Sequence, residues 1–225
     1  MTGMALRGLT AALILMLTTT IASAAELAPW PDSLVGRLEA LALIESLNAD
    51  LLAHDSATLT LERWCADHRL ANPARIVAER VSGADKPASA EVREALDVKP
   101  DEPLGYRRVR LKCGDHMLSE ADNWYVPARL TPEMNHVLET TDTPFGKAVT
   151  ALHFRRRTLS ADLLWRPLPQ GWEMGATPVS GEAGALAIPE HVLEHRAGLS
   201  TKDGAPFSEV VETYTSEVLA FPPPK

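Results

Sequence analysis

Tyr106-Arg107-Arg108-Val109-Arg110-Leu111-Lys112-Cys113 is followed by Gly114-Asp115, and then by Met117-Leu118-Ser119-Glu120-Ala121-Asp122-Asn123-Trp124-Tyr125-Val126. The first run alternates. Val109, Leu111 and Cys113 fall on one face of an extended strand, and Tyr106, Arg108, Arg110 and Lys112 on the other. Gly114-Asp115 is turn chemistry, so the second run returns beside the first as a hairpin. A second ribbon is legible near the C-terminus, with a strand over 192–199, a turn over 201–205 around Asp203-Gly204, and a longer return over 207–219. Two ribbons combined with helical segments give the α+β class, an antiparallel sheet flanked by helices.

The helices are read from periodicity and caps. Asp32 and Ser33 precede Leu34, Leu38, Leu41, Ile44, Leu47 and Leu51, which keep helical spacing. Thr58 is expected to open a short helix over 59–68. Pro73 ends that region, and 76–81 reads as a strand or a helical turn. A loop over 83–88 and one or two helical turns over 91–96 follow. Thr131-Pro132 and Thr143-Pro144 each pair a capping residue with proline at the first helical position, predicting helices through Leu138 and through about Leu152. The Pro- and Gly-rich stretch 166–189 reads as a long connection, and Pro222-Pro223-Pro224 stops regular structure.

Composition narrows the class. The chain has 225 residues, 45% hydrophobic and 23% charged, ordinary values for one globular domain. Residues 1–24 carry Arg7, an apolar run from Leu9 to Leu17, and small residues ending Ala22-Ser23-Ala24, the pattern of a cleavable export signal. That run is too short to span a bilayer, which takes about 20 apolar residues. Residues 25–225 are therefore expected to form a single exported domain, in the periplasm, with no transmembrane span and as a monomer. The net charge is −8, and loss of Arg7 with the leader makes it more negative. So acidic a surface repels phosphate backbones and argues against nucleic acid as a partner.

Two cysteines remain, Cys65 and Cys113. In an oxidising compartment they form a disulfide candidate; as two buried thiols they would pack as small hydrophobes. Among the histidines, His191 and His195 are four apart. On a strand that spacing separates them by ~13 Å, too far for one metal ion, so two polar strand residues is the favoured reading. Arg155-Arg156-Arg157 could steer an anion but reads better as a solvated charge run. Glu212 shares a strand face with Val210 and Tyr214. A carboxylate among apolar neighbours is either paired or poised to exchange a proton, and Arg108 on the other ribbon is the expected partner. The helix start at Phe145 and Gly146 offers free N–H groups to a carboxylate.

The run 106–113, the return ending Asn123-Trp124-Tyr125-Val126-Pro127, then Leu130-Thr131-Pro132, Thr143-Pro144-Phe145-Gly146 and Arg157-Thr158-Leu159-Ser160-Ala161-Asp162 together resemble chorismate pyruvate-lyase. So does the late hairpin, with Lys202-Asp203-Gly204 at its turn and Glu212-Thr213-Tyr214 on its return. Ligand-binding domains of GntR-type regulators are similar over 96–127. The likeness extends from about Leu59 to Phe221. It implies a chorismate lyase-like fold with an enclosed ligand cavity, and release of pyruvate from chorismate to leave 4-hydroxybenzoate without metal or cofactor. It implies Arg108 as the substrate-binding arginine, Glu212 as the catalytic acid or base, and Phe145 as a backbone donor, at a place where this chain substitutes an aromatic. A further backbone contact is implied near Thr60 or Leu61. The rival expectation is an exported, non-catalytic protein that binds a small aromatic carboxylate.

Overall fold

The computed structural model describes residues 29–176 and 184–224. The leader 1–24 lies outside the described residues. Six strands form one antiparallel sheet: β1 (Ile76–Arg80), β2 (Gly105–Cys113), β3 (His116–Tyr125), β4 (Arg155–Leu163), β5 (His191–Ser200) and β6 (Pro206–Thr215), in the order β1-β2-β3-β6-β5-β4. The α+β class expected from the two ribbons is the fold observed. β2–β3 and β5–β6 are those ribbons, and they join through β3 and β6, with Ala121 opposite Glu212.

Strand parity divides the sheet into two faces. Val109, Ala121, Glu212, His195 and Ala161 lie in one cross-strand row. The adjacent row, Arg108, Asp122, Val211, Arg196 and Ser160, points to the opposite face, because neighbours along a strand alternate. The first face carries the larger core. Helix α1 (Leu34–Ala53) is capped by the Ser33 side chain and buries Ile44, Leu47 and Leu51 of the expected series, but Ala40 takes the inner position in its first half, where Leu34 is exposed and Leu38 and Leu41 are half-buried. Helix α2 (Ala57–Asp67) adds Leu61, Trp64 and Cys65, and both pack on Val109, Leu111, Ala121 and Tyr214. Each such Leu or Ile, fully buried, contributes about 1.5–3 kcal/mol. On the second face, α3 (Ala90–Ala95) covers Trp124, Tyr106 and Val211.

Cys65 on α2 and Cys113 at the end of β2 are joined, with their Cα atoms 6.6 Å apart. The bond ties the helical layer to the sheet across 48 positions.

Three local expectations need correction. α2 starts two residues early because Ser56, whose side chain accepts from Leu59 N, takes the capping place expected of Thr58. The helix expected from Thr143 through Leu152 is instead α5 (Phe145–Ala148), followed by a 3-10 turn, Thr150–Leu152, that ends at His153 in the left-handed region. Thr143 does not cap it: Pro144 sits at the cap, and the Thr143 hydroxyl bonds Thr141. β4, read only as a charge run, is an edge strand in register with β5. Helix α4 (Pro132–Thr140), capped by Thr131, follows the expected pattern.

Candidate functional site

β6 presents Glu212 to the helix-covered face, as its alternation with Val210 and Tyr214 requires. The cation that meets it comes from β4. Arg156 Nη2 donates to Glu212 Oε2 at 2.5 Å, with the two side chains only 4% and 8% exposed. Tyr214 donates its hydroxyl to the same oxygen at 3.3 Å. Burial opposes the charge on Arg156, but Glu212, Tyr214 and Asp55 together outweigh burial and hold the guanidinium pKa above its ordinary value. Burial, and then the Glu212 charge, push the Tyr214 phenol well up.

His195 lies beside this pair in the same row as Glu212, fully buried against the edge of the Tyr214 ring. The Asn48 side chain uses its nitrogen to donate to Glu45, so its oxygen accepts from His195 Nε2–H at 2.8 Å. Nδ1 is then the unprotonated nitrogen, buried with no partner among the described residues. Burial first, and the Arg156 charge second, depress the imidazole pKa to about 4. His191 does not share this face. A register shift between His191 and Leu193 reverses its parity, and its Nε2 stands 3.8 Å from Glu120 on the far face. No group of three metal-ligating side chains occurs among the described residues.

Arg156 and Glu212 border a cavity of about 50 Å³ between the sheet and the start of α2. Val109, Leu111, Ala121, Leu199 and Val210 form its apolar floor, and Ala57, Thr58, Phe145, Gly146 and Phe154 its walls. Exposed Asp55 and half-buried Ser56, Phe145 and Phe154 mark the side nearest solvent. The Asp55 carboxylate also accepts from Arg156 N at 2.8 Å. Two polar atoms of lining residues are buried without a partner among the described residues: Arg156 Nε and Asn123 Oδ1. Asn123 uses its other amide atom on Ser208 Oγ at 2.8 Å. Each atom left without a partner costs about 1–3 kcal/mol.

The expected meeting of Arg108 with Glu212 does not occur. Arg108 lies on the opposite face of the sheet, 38% exposed, 3.4 Å from Asp122 and 3.5 Å from Glu120. Tyr106 donates to the same Asp122 at 2.6 Å, and burial together with that carboxylate pushes its phenol up to about 12. The arginine next in sequence, Arg107, takes the inner face. It is buried and donates to the carbonyls of Thr141 and Thr143, so it fixes the segment leading into α5. Burial lowers its pKa to about 10.

Phe145 and Gly146 do line the cavity, but α5 has four residues and so little aligned dipole. What they bring is an aromatic ring and a bare Cα. Thr60 and Leu61 are buried on α2, and the α2 residues at the cavity are Ala57 and Thr58. Arg156 was hidden in a run read as solvated; its face on an edge strand is the signal that finds it. The cavity is small at rest: ~150 Å³ is needed to take up a benzene ring in an apolar interior, and ligand pockets run to ~300 Å³ and above.

No family model matches the chain. Over 196 residues it is 58% identical to the uncharacterized protein y4mC of Sinorhizobium fredii, covering 87% of this chain and 83% of that one. Among solved structures it is similar to the effector domain of PhnF from Mycobacterium smegmatis, at 12% identity and TM-score 0.47, over 72% of this chain and 90% of that domain. It is also similar to the possible transcriptional regulator YydK of Bacillus subtilis, at 14% identity and TM-score 0.40, over 64% of this chain. The chain spans about three fifths (59%) of YydK. At these identities the likeness is one of fold and carries nothing about ligand or reaction.

Proposed function

The chain belongs to the same family as the uncharacterized protein y4mC of Sinorhizobium fredii, and we propose that it is an exported, non-catalytic binding protein for a small aromatic molecule. The observation that carries this reading is the cavity beside Arg156 and Glu212, apolar on its floor and ringed by Phe145 and Phe154, with one buried, unpaired polar atom on each of two lining residues, Arg156 and Asn123. An apolar pocket with a few fixed polar groups suits a small organic ligand. The ligand enters by displacing the half-buried Phe145 and Phe154 side chains, since the resting volume is too small for a ring.

The site favours binding over lyase chemistry. A general acid or base for chorismate needs a carboxyl group at liberty to move a proton. Glu212 is held by Arg156 and Tyr214, and Arg108, the expected substrate arginine, is on the other face. Export is supported by residues 1–24 and by the Cys65–Cys113 bond, which suits an oxidising compartment. The protein acts as a monomer, to be checked by sedimentation.

Gly146 supplies the test. A Cβ there would stand 3.4 Å from Ser56 Oγ and 3.8 Å from the Phe154 ring, ordinary contact distances, so Gly146→Ala folds but occupies cavity space. Calorimetry on the wild-type chain with 4-hydroxybenzoate, 4-hydroxybenzamide and chorismate should detect binding of at least one, weakened tenfold or more in Gly146→Ala. Pyruvate release from chorismate should be absent. Binding of none of the three, or equal binding by both proteins, removes the reading; steady pyruvate release returns it to a lyase.

A further inference from the structure

The charge balance around Arg156 bears on what the cavity accepts. Its guanidinium is already matched by Glu212 at 2.5 Å, and the Asp55 carboxylate sits at its backbone N–H at 2.8 Å. Glu212 neutralises the one cation of the cavity lining, which leaves no surplus positive charge inside for an anion, and a desolvated like-charge neighbour is strongly disfavoured; Asp55 sits at the exposed rim, where Arg155 and Lys202 offset it. Meanwhile the lining residues keep one unpaired donor, Arg156 Nε–H, and one unpaired acceptor, Asn123 Oδ1, both buried. A ligand that completes this wall must offer an acceptor and a donor while carrying no net charge.

Resting on the reading that the cavity binds a small aromatic molecule, we propose that its ligand is an uncharged carbonyl compound bearing an N–H or O–H, such as an aromatic carboxamide or lactam, and that Glu212 excludes the corresponding carboxylate. Glu212 is thus the specificity-determining residue. It acts by neutralising the arginine that would otherwise recruit anions, a repulsive element built into the site.

Titration of 4-hydroxybenzamide against 4-hydroxybenzoate at pH 7 compares two ligands of nearly equal shape that differ in charge. The wild type should bind the amide at least tenfold more tightly. Glu212→Gln keeps the side-chain volume, removes the competing charge and should reverse the order, the benzoate gaining at least tenfold. Tighter binding of the benzoate by the wild type overturns the proposed ligand class while leaving the cavity reading intact. An unchanged preference in folded Glu212→Gln overturns the role given to Glu212. Binding of neither ligand by either protein overturns the cavity reading itself.

Discussion

Arg156 and Glu212 form a buried ion pair although their strands are not neighbours: β5 runs between β4 and β6, and it is His195 on β5 that pairs with Glu212 in the sheet. A pair enclosed to this degree is expensive to break, because removing one partner leaves an uncompensated buried charge. Arg156→Met should destabilise the protein by about 3–5 kcal/mol. The double variant Arg156→Met with Glu212→Leu should recover most of that loss. Urea unfolding of the wild type, both singles and the double measures the coupling; additive effects would contradict a shared pair.

His195 gives the pH dependence. Its folded pKa, about 4, lies below its ordinary value of 6.5, so the unfolded chain binds the proton more readily between those two values. Stability from this group is whole above pH 6.5 and falls as pH drops toward 4, by up to about 3 kcal/mol. Unfolding free energies of wild type and His195→Gln, measured from pH 7 to pH 4, should converge as pH falls. Parallel curves would show that His195 titrates normally.

The Cys65–Cys113 bond closes a loop of 48 positions, worth about 4 kcal/mol on the chain-entropy account. Cys65→Ala with Cys113→Ala, or reduction of the wild type, should lower the thermal midpoint substantially. A midpoint unmoved by reductant would contradict a bond formed in the native protein.

Arg108, partly exposed on the face away from the cavity, makes long ion pairs at 3.4 and 3.5 Å with Asp122 and Glu120, which keep Lys86 and Tyr106, and Arg110, as other partners. Such pairs contribute little. Arg108→Ala should cost less than about 1 kcal/mol and leave ligand affinity within twofold of wild type. A tenfold loss of affinity would restore Arg108 to the site.

The exported state is checked by mass spectrometry of protein recovered from the periplasm. An N-terminus at Ala25 is expected; retention of residues 1–24 would contradict export through this leader.

Both ribbons and the face occupied by Glu212 were legible in the sequence, because alternation fixes parity wherever one face is buried. The partner of Glu212 was harder to find. Arg108 shares a strand face with Arg110 and Lys112, whereas Glu212 shares one with Val210 and Tyr214. A face of basic residues and a face of Val and Tyr turn to opposite sides of a sheet more readily than to one core, so parity already weighed against that pairing. β4 was obscured for another reason: three consecutive arginines hide its first half, and the alternation of Leu159, Ala161 and Leu163 with Ser160 and Asp162 covers only the part beyond its register shift. α5 was overread because Thr-Pro is a cap signal only when the threonine side chain is free, and that of Thr143 is engaged by Thr141.

The most direct test follows the unpaired Arg156 Nε–H in ¹H–¹⁵N spectra during titration with 4-hydroxybenzamide. This resonance should move downfield and gain protection from exchange, with accompanying shifts at Gly146, Thr58 and the Asn123 amide. A resonance that stays still while shifts gather around Arg108, Glu120 and Asp122 would put the ligand on the other face of the sheet and contradict the account.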